Sequence, residues 1–149
     1  MSRLLLALLP LLLTVGPRAL HSQEHYTLGP VNRVILVDIK PGKARDFWTD
    51  LRQNLRPLYD EYKRQGLIQN YSVGVKATTE GPQDWDAVII LTFKNYAALD
   101  TFATKGDSVS MRYFGSYDKR SESGTKRSEA ATTVGSYLVR DVTLKEMPR

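Results

Sequence analysis

The sequence predicts an α+β domain in the order βαββαβ: a four-stranded antiparallel sheet with two helices on one face, dimerising through the other. Three observations carry this. Pro41 to Gly66 reads as one long amphipathic helix, since Phe47, Leu51, Leu55, Leu58 and Tyr62 recur at helical spacing. Apolar, β-branched stretches lie before and after that helix and again near the end of the chain. Two of these stretches, Arg33 to Lys40 and Trp85 to Lys94, offer apolar side chains in both directions, and two helices can cover only one face of a sheet.

The amino terminus stands apart from the fold. Arg3 followed by the apolar run Leu4 to Val15 has the form of an export signal. The run is shorter than the roughly 20 residues needed to cross a bilayer core, and Pro10 interrupts it. Ser22 and Ala19 both suit the small-residue cleavage rule, with Ser22 preferred. The expectation is therefore a signal peptide over residues 1–22, and a periplasmic or secreted protein with no stable membrane anchor once it is removed. Cleavage there leaves 127 of the 149 residues, and 19 Lys and Arg against 16 acids. That excess of about +3 is too small and too dispersed for a nucleic-acid footprint. There is no cysteine, so packing or association, not disulfides, must supply the stability of an exported chain.

Residues 23–32 carry Gly29-Pro30 and no periodicity, and read as a flexible arm. The domain proper spans 33–145. Arg33 to Lys40 is its first strand, ending at Pro41-Gly42. In the helix that follows, Pro57 cannot donate to the carbonyl of Gln53, so either a kink or a restart with Pro57 in a first turn is expected. Gly66 supplies the stop. Leu67 to Ala77 alternates Gln69, Tyr71, Val73 and Val75 with polar or small residues, a half-buried second strand. Residues 78–84 are turn chemistry, and Trp85 to Lys94 is the most apolar strand, hence central. A second helix starts near Tyr96, with Gly106 as a point of division. Tyr117 to Ala131 is polar and Ser-rich and reads as a loop, Thr133 to Lys145 as the fourth strand, and 146–149 as a tail.

Three features, the strand running into PGKARDFW, the Gly66-Leu67 step into a Tyr-bearing strand, and the unit WDAVIILTFKNYAALDTF, resemble the dimeric α/β-barrel, or ferredoxin-like, superfamily over residues 33–144. That superfamily contains antibiotic-biosynthesis monooxygenase-like, haem-degrading and many uncharacterised members, and the chain is most similar to the monooxygenase-like and uncharacterised branch. The resemblance implies the fold and says little of function, because the fold hosts many activities. In the haem-degrading branch a Trp and a later His on the second helix hold the haem. The matching positions here are Phe102 and Arg112, and the two histidines, His21 and His25, lie outside the domain. No cofactor and no metal are expected.

The resemblance places a ligand pocket between helices and sheet, for which Trp48, Tyr71, Phe102, Arg112 and Tyr113 are the candidates. Aromatic walls with one cation suit an apolar or aromatic acid. The competing reading is that the rings fill the core and Arg112 snorkels to solvent. Asp38 and Arg140, on strands expected to be neighbours, form either a structural ion pair or a site in which Asp38 is a general base. Asp84 and Asp86 flank Trp85 but fall short of the oxygens that calcium prefers. Asn70-Tyr71-Ser72 matches the N-glycosylation acceptor pattern, relevant only in a eukaryotic secretory pathway. Lys119, Arg120, Lys126 and Arg127 read as a solvated loop, with an anionic surface as the alternative. No phosphate loop, nucleophile elbow or His-based triad is present in the domain.

These features support three readings: an exported non-catalytic or small-molecule-binding homodimer, a cofactor-free monooxygenase-like enzyme using the same pocket, and a protein-interaction module. The first is preferred. A small apolar or aromatic ligand is its expected partner, and no residue can be assigned a catalytic role.

Overall fold

The computed structural model describes residues 25–78 and 85–147. The export segment and Asp84 lie outside these. Strands β1 (Tyr26–Ile39), β2 (Asn70–Val75), β3 (Ala87–Phe93) and β4 (Ala131–Leu144) form one sheet in the order β2-β3-β1-β4, all pairs antiparallel. Helices α1 (Ala44–Asp50) and α2 (Arg56–Arg64) are joined through a π-helical turn, Leu51–Leu55. Helices α3 (Tyr96–Phe114) and α4 (Tyr117–Ala130) follow β3. The βαββαβ order stands, with the second helical layer made of two helices.

The core sits between one face of the sheet and the helices. Ala87, Ile89, Leu91 and Phe93 alternate with half-exposed neighbours along β3, and Val31 and Val37 lie beside them on β1. Phe47, Leu55, Leu58, Tyr59 and Tyr62 come down from the helices. A ladder of rings runs through this layer: Tyr71 to Tyr59 at 5.3 Å, Tyr62 to Phe102 at 5.0 Å and Phe102 to Phe93 at 5.3 Å. Edge and tilted geometries of this kind suit the ring quadrupole.

Pro57 acts as its chemistry requires. It enters α2 in the first turn, and the Gln53 carbonyl that it cannot reach accepts a hydrogen bond from the Tyr113 hydroxyl at 3.3 Å. The π turn just before it adds a residue to the turn, keeping Leu55 and Leu58 both buried across the junction.

Several expectations are corrected. Residues 26–32 are not a flexible arm. They are the first half of β1, because Tyr26, Thr27 and Leu28 pair with Leu144, Thr143 and Val142 of an equally long β4. Gly29-Pro30 falls at a register shift, where a missing N–H breaks no ladder bond. Residues 117–130 are a helix, not a loop. Gly115 at φ 79° ends α3, Ser116 caps α4 by accepting the Lys119 N–H, and Lys126 pairs with Glu122 one turn away. Gly106 does not divide α3. It lies buried within it, against the ring of Phe102, and its carbonyl accepts the Tyr62 hydroxyl at 3.3 Å.

Asp38 and Arg140 do not meet. Their strands are neighbours as expected, but the register sets Asp38 opposite Thr132 and Arg140 opposite Val31. Arg140 instead donates to the Gly29 carbonyl at 3.2 Å and lies over the ring of Tyr96. Asp86 serves the sheet. Its carboxylate accepts the Ile39 N–H at 2.7 Å and ties off the end of β1.

The outer face of the sheet carries Val34 and Leu36 from β1, Val88 and Ile90 from β3, and Tyr137 and Val139 from β4, by the alternation and register of the strands. Among the described residues, no helix packs on it.

Candidate functional site

The structure does not gather the expected pocket. Trp48 packs edge-on against Phe47 at 5.0 Å on α1, and Tyr71 donates to Asp60 at 2.7 Å on the other side of the helix layer. Arg112 is exposed, and Tyr113 is committed to the Gln53 carbonyl. Phe102 lines a shallow recess of about 240 Å³ with Tyr62 and Arg120.

A different cavity lies where the resemblance places one, between sheet and helices. It has a volume of about 160 Å³, and Ile35, Val37, Ile89, Phe47 and Leu55 form its walls. Each wall comes from a position already fixed by pattern. The strand residues are inward positions of β1 and β3, and Phe47 and Leu55 belong to the apolar stripe of the helix. Two polar side chains complete it, Tyr59 from α2 and Arg127 from α4. Ala131, Thr132 and Thr133 at the start of β4 form its mouth, which opens into a vestibule of about 280 Å³ bordered by Gly124 and Ser128 of α4.

Tyr59 is 8% exposed; its hydroxyl makes no hydrogen bond among the described residues and, since none of their fully buried side-chain polar atoms lacks a partner, it keeps some accessible surface. Burial pushes its pKa up to about 12, with the nearby Arg127 guanidinium pulling the other way and Tyr62 and Asp50 adding to the rise. At neutral pH this phenol is therefore a hydrogen-bond donor and not a base. Arg127 is held by Asp50, Nε to Oδ2 at 2.8 Å, and by Ser123 one turn back at 3.3 Å. Asp50 also accepts from Asn54 at 2.8 Å, and on its far side borders an open polar groove with Arg45 and Arg52. The ion pair is thus the partition between the groove outside and the cavity within.

Tyr59, Arg127 and Asp50 are not among the residues the sequence singled out for the site. In the sequence Arg127 reads as part of a solvated loop. A signal for Arg127 existed in the capping pattern of α4: Gly115-Ser116, then Asp118 in the first turn. No group of three or more His, Cys, Asp or Glu suited to a metal occurs among the described residues.

No known protein family matches the sequence, and no curated protein does. Among solved structures the chain is similar to HapK from Hahella chejuensis, at 9% identity over 80% of this chain and 99% of that one, with a TM-score of 0.51. It is also similar to a dimeric ferredoxin-like protein of unknown function from Jannaschia sp. CCS1 (14% identity, 75% and 97% covered, TM-score 0.46). A third likeness is to a putative antibiotic biosynthesis monooxygenase from Caulobacter crescentus CB15 (16% identity, 85% and 99% covered, TM-score 0.43). The strand order and connectivity described above, with the likeness to HapK, define a ferredoxin-like fold.

Proposed function

We propose that the protein is a small-molecule-binding domain that works as a homodimer, its ligand seated between helices and sheet. The observation that carries this is an apolar cavity whose wall presents the hydroxyl of Tyr59 and the guanidinium of Arg127. A concave, mostly apolar site with a few convergent polar groups is the usual form of a small-molecule site. Cavities of about 150 Å³ with such walls hold a benzene-sized guest. The lining residues include no carboxylate, and the phenol stays protonated, which supports binding over proton abstraction.

The outer sheet face supports the dimer. Apolar side chains of three strands stand there without cover from the described residues, and a second sheet is the cover of matching shape. An interface of about 800 Å² per subunit is ordinary for such a contact. The cavity lies on the opposite side of the sheet, so pairing leaves its mouth open. The leading segment, Arg3 with Leu4 to Val15, supports export before the domain folds.

Toluene or phenol titrated into the protein tests the reading. Either should bind with a Kd on the order of 0.1–1 mM and raise Tm, and Ala131→Leu, which adds volume at the mouth, should abolish both effects. Absence of binding, or binding indifferent to Ala131→Leu, would remove this function.

A further inference from the structure

We propose that the ligand of this cavity is a small apolar monocarboxylate, its body against Phe47, Leu55 and Ile89, its head bridging Arg127 and the Tyr59 hydroxyl. This rests on the reading above and names the charge of the guest. The argument is one of donors and acceptors.

The polar side chains on the cavity wall are donors or hydroxyls: the guanidinium of Arg127, the phenol of Tyr59, and Thr133 at the mouth, opposite the inward Val37. The vestibule has the same character. Arg127 lines it, no carboxylate does, and Lys40 places its ammonium on the Ser128 carbonyl at 2.7 Å at its edge. Asp38, opposite Thr132, belongs to the other face of the sheet. An anion therefore meets positive charge along the way in and donors at the end.

Arg127 has capacity for such a head. Nε is taken by Asp50 and Nη2 by Ser123, while Nη1 has no hydrogen-bond partner among the described residues. A planar guanidinium matches the two oxygens of a carboxylate better than the single oxygen of an alcohol or ketone. Tyr59, 8% exposed and without a hydrogen bond among the described residues, offers a further donor from the opposite element of the same wall. Asp50 is the internal competitor. Should Arg127 turn toward the guest, Asp50 keeps its bond from Asn54 and still faces the polar groove. Asp50 thus holds this arginine and has a place for its own carboxylate when another arrives.

The test compares benzoate, benzamide and toluene by calorimetric or ligand-observed NMR titration at neutral pH, using the full chain. Benzoate should bind at least about tenfold more tightly than benzamide, its neutral isostere. Asp50→Asn, which removes the competitor without changing shape, should tighten benzoate severalfold and leave toluene unchanged. Tyr59→Phe and Arg127→Gln should each erase most of the preference for benzoate. Equal or weaker binding of benzoate than of benzamide by the wild-type protein overturns the inference and leaves the binding function standing. Failure of all three probes overturns both, and a weaker grip on benzoate in Asp50→Asn excludes the competition.

Discussion

Tyr59 illustrates how a single residue separates binding from folding. Its ring fills core volume, whereas its hydroxyl makes no hydrogen bond among the described residues, so Tyr59→Phe should change stability at neutral pH by no more than about 0.5 kcal/mol in urea unfolding. A loss above about 1 kcal/mol would mean that the hydroxyl is structural. Alkaline pH gives an independent reading. The folded phenol titrates at about 12 against an ordinary value of 10.0, so the native state holds its proton more tightly than the unfolded chain. Stability from this group is complete below the unfolded value and is lost as pH rises toward the folded one, by an amount on the order of 2 kcal/mol. Burial raises Tyr62 in the same direction. Tyr59→Phe should therefore flatten the alkaline limb without removing it. Arg127 is the opposite case: Arg127→Gln strips a charged partner from an Asp50 side chain only 14% exposed, and should cost about 1–3 kcal/mol in the same assay.

At the scale of elements, α4 shows how composition misleads where capping does not. Its mean character is polar and serine-rich, and the periodic apolar signal that identifies most helices is absent, because the helix buries little beyond Ala130. What holds it is the Ser116 cap, the Glu122 to Lys126 pair and the Arg127 to Asp50 bond to α1. Gly124 in its middle borders open space, with nothing within 4 Å of an added methyl group. Gly124→Ala should accordingly raise stability by about 0.5–1 kcal/mol through helix propensity, and a loss instead would show that the vestibule needs the space. Ser116→Ala should lower it by about 1 kcal/mol, read from the shift in Tm. The first helical layer was legible because its stripe is strong, and Pro57 announced the break before it. The same proline left a carbonyl that only a distant residue, Tyr113 on α3, could satisfy.

For the whole molecule the deciding quantity is apolar sheet surface that its own helices cannot reach. Tyr137 and Val139 are about half exposed on the outer face, at 51% and 49%. Light scattering at micromolar concentration should report a dimer, and Tyr137→Lys with Val139→Glu should shift it to monomer while the cavity still takes toluene; a wild-type monomer would end the dimer proposal. The sequence by itself determined the strands, the long helix with its proline break and the surplus of apolar sheet, because periodicity and propensity are local and survive without knowledge of the partners. The tertiary structure alone decided the register that separates Asp38 from Arg140, the strand made of residues 26–32, and the meeting of Tyr59, Asp50 and Arg127. Those depend on contacts between residues far apart in the chain, where a shift of a single residue in pairing moves a side chain to the other face and nothing local records the choice.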